Sequence, residues 1–255
     1  MSESSRPKAR WRAGILLVVL VVLTACGRGP GAGLAGDGRP PTPDRPVRYM
    51  ALGDSITAGY PGVGGYRTLL WQLLVQQDGD AIDFVGSQSG GPPELGDPDH
   101  EGHRGWCIDG PCGGHRERTV APKMQGLMRQ YRPDIVSVHL GTNDLNKGAD
   151  GVETARRMDR LLGSIYAVDP DVHVILVQIV PGEVKPEQHA IYAGALVTVA
   201  SRYQAEGRRL SVLDMSHLLT MPTHFVDGIH PTPFGYDIMA RALHPAVTKA
   251  YREVA

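Results

Sequence analysis

Apolar, β-branched runs alternate with helical repeats along most of this chain, and that alternation restricts the fold more than any other feature. Five runs have strand length and composition: Val47 to Leu52, Ile82 to Val85, Ile135 to Leu140, Val172 to Val180 and Leu210 to Leu213. Between them apolar residues recur three and four apart, as in Tyr66, Leu69, Leu70, Leu73 and Leu74, or Val120, Met124, Leu127, Met128 and Tyr131. Three more such patterns follow, around Met158 to Ile165, Tyr192 to Tyr203 and Ile238 to Leu243. Continuous apolar runs suit strands buried on both faces, and helical crossovers supply both covers. The expected architecture is therefore α/β: a three-layer α/β/α sandwich around a five-stranded parallel sheet. The roughly 210 residues from Val47 onward suffice for one such domain.

The segment before Val47 has a different character. Arg6, Lys8, Arg10 and Arg12 form a basic head, Ile15 to Leu23 an apolar stretch, and Leu23-Thr24-Ala25-Cys26 a small-residue exit. The apolar stretch is shorter than the about 20 residues a spanning helix needs, so residues 1–25 read as an export signal. Gly27 to Pro46 holds six glycines and five prolines in its twenty residues. Such a segment has little to bury and is expected to act as a flexible tether reaching roughly 25 Å. Three parts follow: a signal at 1–25, a tether at 26–46 and a domain at 47–255.

The whole chain is near neutral at net -1. Without residues 1–25, which hold four basic residues and Glu3, the balance is 22 minus 26, or -4. Neither value points to nucleic acid. Beyond Cys26 only Cys107 and Cys112 remain, around Ile-Asp-Gly-Pro. In an exported protein such a pair is most simply a disulfide, contributing about 2 kcal/mol by closing a short loop; a reduced pair is the alternative.

In parallel α/β sheets the reactive crevice lies beyond the carboxyl ends of the strands. The first predicted strand runs into Gly53-Asp54-Ser55-Ile56-Thr57, and the third into Gly141-Thr142-Asn143-Asp144. Asp227-Gly228-Ile229-His230 follows the fifth, while a long polar loop, Gly86 to Gly114, follows the second. Each alone is commonplace: G-T-N-D is more often a turn, and D-x-x-H arises often by chance. Together they place a hydroxyl, an imidazole, a carboxylate and an amide donor on one sheet edge. Nucleophilic ester cleavage requires that set.

With these blocks the chain resembles the SGNH (GDSL-type) serine hydrolases over essentially the whole domain, and so implies a flavodoxin-like hydrolase fold. Phe84-Val85-Gly86-Ser87-Gln88 and the stretch Asp97 to Trp106 are similar to a narrower group, the family-three carbohydrate esterases with acetylxylan esterase activity. The resemblance implies Ser55 as nucleophile, His230 as general base and acid, and Asp227 as the carboxylate that orients His230. It implies an oxyanion hole of the Ser55 and Gly105 N–H groups and the Asn143 side-chain amide, with Gly105 preferred to Gly102 or Gly86. Asp54 is expected to accept hydrogen bonds that shape its loop. Leu23-Thr24-Ala25-Cys26 in turn resembles the bacterial lipoprotein box, which implies a lipid anchor on Cys26 at the outer face of a bacterial cell membrane; plain secretion is the alternative.

Other patterns carry less. Gly31-Ala32-Gly33-Leu34-Ala35-Gly36 matches a dinucleotide fingerprint but follows no strand, and no G-x-S-x-G elbow surrounds Ser55. His100, His103 and His115 with Glu101 lack the spacing of a catalytic zinc site, so no metal or cofactor is expected. The expected activity is an exported serine esterase acting on small acyl groups, acetyl above all, of carbohydrate or cell-envelope polymers, in a monomer. The alternatives are a lipolytic esterase or lysophospholipase, an acyltransferase, and a non-catalytic carbohydrate-binding lipoprotein.

Overall fold

The structure, a computed structural model, describes residues 42, 44–59, 64–77 and 79–255. The expected signal 1–25, Cys26, most of the expected tether and the glycine pattern at 31–36 lie outside these residues.

The five expected strands all form: β1 (Val47–Gly53), β2 (Ile82–Phe84), β5 (Ile135–His139), β6 (His173–Val177) and β7 (Leu210–Leu213). They lie parallel in the order β2-β1-β5-β6-β7. The expected count of five needs correction, because the sheet has seven strands. The loop after β2 contributes β3 (Gln88–Ser89) and β4 (Asp99–Gly102), which pair antiparallel. These two are short and polar, so they carry neither the alternation nor the apolar run by which a strand is recognised. β4 continues the line of β2 along the same edge of β1, pairing Leu52 with Glu101 and Gly53 with Gly102.

β1, β5 and β6 each serve two cores, since their residues point alternately to opposite faces. Met50 and Leu52, with Val136, Val138, Val174 and Leu176, pack beneath α3 (Ala121–Tyr131), α5 (Gly151–Tyr166) and α6 (Pro186–Ala205). Tyr49, Ala51, Ile135, Ile175 and Val177 face α2 (Tyr66–Trp71) and α7 (Pro233–Val254). α2 runs on into a π-helical stretch, Gln72–Gln77. The helices begin where local chemistry permits: Asp150 accepts from Glu153 N–H at 2.7 Å to cap α5, and α6 and α7 place Pro186 and Pro233 in the first turn.

The strand order reverses at β1, whose neighbours are β2 and β4 on one edge and β5 on the other. In sheets of this kind that reversal opens the ligand crevice. Here Gly53 lies between Gly102 and His139, so the loops leaving β4, β1 and β5 emerge side by side.

Candidate active site

The nucleophile candidate sits on a very short connection. Gly53 ends β1, Asp54 follows, and Ser55 opens α1 (Ser55–Ala58). Gly53 is needed sterically, because a Cβ there would lie 2.0 Å from Thr57 Oγ1. Thr57 Oγ1 is itself engaged with Tyr66 Oη at 3.0 Å. Asp54 Oδ1 caps α1 by accepting from Ile56 N–H at 2.9 Å.

The structure brings the three residues of the expected triad into one relay. Ser55 Oγ lies 2.8 Å from His230 Nε2, across 175 residues of sequence. His230 Nδ1 lies 2.8 Å from Asp227 Oδ2. Asp227 Oδ1 also accepts from the backbone N–H groups of His230, at 2.8 Å, and Ile229, at 3.1 Å. The turn that carries both residues is pinned by Val226 N–H to His230 O at 2.9 Å, by Thr232 N–H to His224 O at 2.8 Å, and by Glu183 N–H to Gly228 O at 2.7 Å. With its Nδ1 proton directed at Asp227, a neutral imidazole offers Nε2 as acceptor to the serine hydroxyl.

The pKa values of the site's two acids are shifted in opposite directions. Burial pushes Asp227 up, but hydrogen bonds from the His230 and Ile229 N–H groups and the His230 ring outweigh it and bring the carboxyl down to about 2. Burial pushes Asp54 up to about 6, against the hydrogen bond from Ile56 and the positive influence of His230. Asp54 Oδ2 accepts from Asn143 Nδ2 at 3.3 Å. That bond uses one of the two amide protons of Asn143 and leaves the other for a ligand.

Asn143 lies in α4 (Thr142–Asn146), two residues after the glycine that leaves β5. Its neighbours tie α4 to the loop after β4. Asp144 is buried, accepting from Ile108 N–H at 3.0 Å and from Arg157 Nη1 at 2.9 Å. Lys147 Nζ donates to Gly105 O at 2.5 Å. Gly105 has φ +74°, a left-handed conformation that favours glycine, and its N–H donates to no described residue. The Gly102 N–H is already committed to His100 Nδ1 at 2.9 Å. A Cβ at Gly86 would meet the His100 backbone at 2.2 Å, so close packing accounts for that glycine.

Cys107 and Cys112 form a disulfide just beyond Gly105, with Cα atoms 5.7 Å apart. His103 and Trp106 stack with ring centroids 4.2 Å apart, and Glu101 Oε1 holds His103 Nε2 at 2.5 Å. His115 pairs with the exposed Glu117 instead. Among the described residues no group of three or more His, Cys, Asp and Glu side chains is arranged to hold a metal.

Arg67 had no signal in the sequence beyond its place in an apolar helical repeat. It is fully buried and donates to four backbone carbonyls: Thr57 at 2.9 Å and Ala58 at 3.2 Å on α1, and Pro98 at 3.0 Å and Gly90 at 2.8 Å on the β3–β4 connection. Burial lowers its pKa to about 10, which leaves it charged at neutral pH.

The GDSL-like lipase/acylhydrolase family model matches residues 51–238, nearly the whole span that carries this site. The chain belongs to that family. As a GDSL-like enzyme it is a carboxylic ester hydrolase, and the site's hydroxyl, imidazole and carboxylate are the groups that chemistry uses. The hydrolase is 28% identical over 215 residues to a multidomain esterase of Ruminococcus flavefaciens, an alignment covering 76% of this chain and 28% of that protein. It thus spans under a third of that relative's length. Among solved structures it superposes on a family 3 carbohydrate esterase of Clostridium thermocellum with a TM-score of 0.70 and 28% identity, covering 82% of this chain and 99% of the other. An acetyl esterase mutant solved with an acetate ion matches with a TM-score of 0.70 and 26% identity, over 82% and 100% of the two chains.

Proposed function

We propose that this hydrolase is an exported serine esterase that removes small acyl groups, acetyl above all, from carbohydrate or cell-envelope polymers. The observation that carries the chemistry is the unbroken relay from Ser55 Oγ through His230 to Asp227, with 2.8 Å at each step. Ser55 Oγ attacks the ester carbonyl carbon as His230 Nε2 takes its proton. The displaced carbonyl electrons form an oxyanion facing the Ser55 N–H, the Gly105 N–H and the free Asn143 amide proton. Collapse expels the sugar hydroxyl, which leaves with the proton from His230. Water, deprotonated by His230, then releases the acid from the acyl-enzyme.

The acetyl preference and the carbohydrate substrate draw support from the family 3 carbohydrate esterase and the acetyl esterase to which the chain is similar. Export and lipidation draw support from residues 1–26. A second reading, hydrolysis of longer acyl chains, is favoured by one feature: Val226 and Phe234, which flank the Asp227–His230 turn, are 52% and 63% exposed. Cleavage of p-nitrophenyl esters from acetate to octanoate decides between the two. Fast acetate cleavage, lost in Ser55→Ala, is the expected result; a preference for octanoate would favour the second reading, and silence on every ester from a folded chain would sink both. Labelling with radioactive palmitate in a bacterial host, abolished in Cys26→Ser, tests the anchor.

A further inference from the structure

A cleft of about 580 Å³ opens beside α1, and its walls include Ala58, Gln88, Gly90, His103, Arg104 and Trp106. Among the described residues no Asp or Glu lines it, and Arg104 is the one lining residue with a permanent charge. A single guanidinium N–H of Arg104 is spent on a neutral acceptor, the Gly59 carbonyl, at 2.9 Å. That bond steadies the side chain while its remaining donors meet no carboxylate among the described residues. The nearby Glu101 has other partners: its side chain is wholly buried and its oxygens take the Ser87 N–H at 2.7 Å, the Ser87 hydroxyl at 2.9 Å and His103 at 2.5 Å.

A second guanidinium lies under the same wall. Arg67 donates to the carbonyls of Ala58 and Gly90, which both line the cleft, and forms no ion pair among the described residues. The positive influence of Arg67 and Arg104 adds to burial in holding His100, another lining residue, at a pKa of about 3. Trp106 is already engaged, with His103 stacked on its ring and Lys123 Nζ 5.3 Å from its centroid. Beside these rings the wall offers the planar guanidinium fork of Arg104, suited to carboxylate or phosphate.

We propose that this cleft selects acylated sugars bearing an anionic group, a uronate carboxylate or a phosphate, and that Arg104 is its specificity-determining residue. The inference rests on the esterase reading above for the acyl group, and on Arg104 and Arg67 for the anion.

The test separates the two. Binding of trigalacturonate and of xylotriose is measured by calorimetry on the full chain carrying Ser55→Ala, with and without Arg104→Gln, at low and high salt. The expected result is about tenfold tighter binding of trigalacturonate at low salt, shrinking with salt and with Arg104→Gln. Glucuronate and glucose 6-phosphate, used as competitors, distinguish a carboxylate from a phosphate as the favoured group. Equal affinity for the two trisaccharides in the protein with Arg104 intact, or a preference that Arg104→Gln and salt both leave untouched, would overturn the proposal. Because p-nitrophenyl acetate carries no anionic group, its hydrolysis by the chain with Ser55 reports on the esterase reading alone. In either case the binding result stands by itself.

Discussion

Two carboxylates serve this site from opposite surroundings. Asp227 lies on an outer turn, its side chain 47% exposed, and three N–H donors hold it ionised with a pKa of about 2. Asp54 is 1% exposed, receives two N–H donors, and is raised to about 6. Donor count and solvent, rather than residue type, set the two pKa values. In the proposed reaction one acid stays negative to orient an imidazole that must become positive, and the other fixes an amide that meets a developing negative charge. The two also contribute to stability with opposite slopes. Asp227, depressed, stabilises the fold above the ordinary carboxylate range and loses that contribution as pH falls toward about 2. Asp54, raised, favours the fold below its ordinary value of 3.8 and loses that contribution as pH rises through about 6.

Breaking the outer acid should have the largest effect. Asp227→Asn keeps the shape but removes the charge facing Nδ1, so kcat on p-nitrophenyl acetate should fall by about 10⁴-fold in steady-state assays. Asn143→Ala removes an amide donor from the inner side, and kcat should fall on the order of 10² to 10³-fold with KM little changed.

Asp54→Asn sharpens the comparison because it acts on both activity and stability. An asparagine offers one acceptor oxygen where Ile56 N–H and Asn143 Nδ2 need two, so kcat should fall by about tenfold. The same change removes a buried carboxylate whose ionisation costs about 3 kcal/mol at high pH. Thermal unfolding followed from about pH 4 to pH 8 should show the variant gaining stability relative to the parent. A constant difference across that range would contradict the raised pKa. The smallest effect is expected from Lys147→Met, which removes the 2.5 Å bond to Gly105 O and should lower kcat about three- to tenfold without a comparable loss in thermal stability.

The strands were legible wherever burial demanded continuous apolar residues, as in β6, where Val174, Ile175, Leu176 and Val177 are all buried. β3 and β4 were not, because β4 is placed by the neighbouring β1 edge and β3 by β4, and neither by its own polar residues. Ser55, Asn143, Asp227 and His230 stood out because a reaction needs those side chains at strand ends. Gly105 has no side chain, and what distinguishes it from Gly102 is which N–H is already bonded. Arg67 was hidden for a related reason: its partners are four carbonyls, which any residue can supply.

The sequence by itself determined the layer architecture, the strand ends from which reactive groups emerge, and the chemistry those groups can perform, because periodicity and residue type act locally. Only the tertiary structure decided that Ser55 meets His230 across 175 residues, that Asp54 is buried while Asp227 is wet, and that Arg104 lines a cleft whose wall Arg67 braces from beneath. Distance, desolvation and the use of each hydrogen-bond donor arise between segments far apart in the chain, and no stretch of sequence contains them.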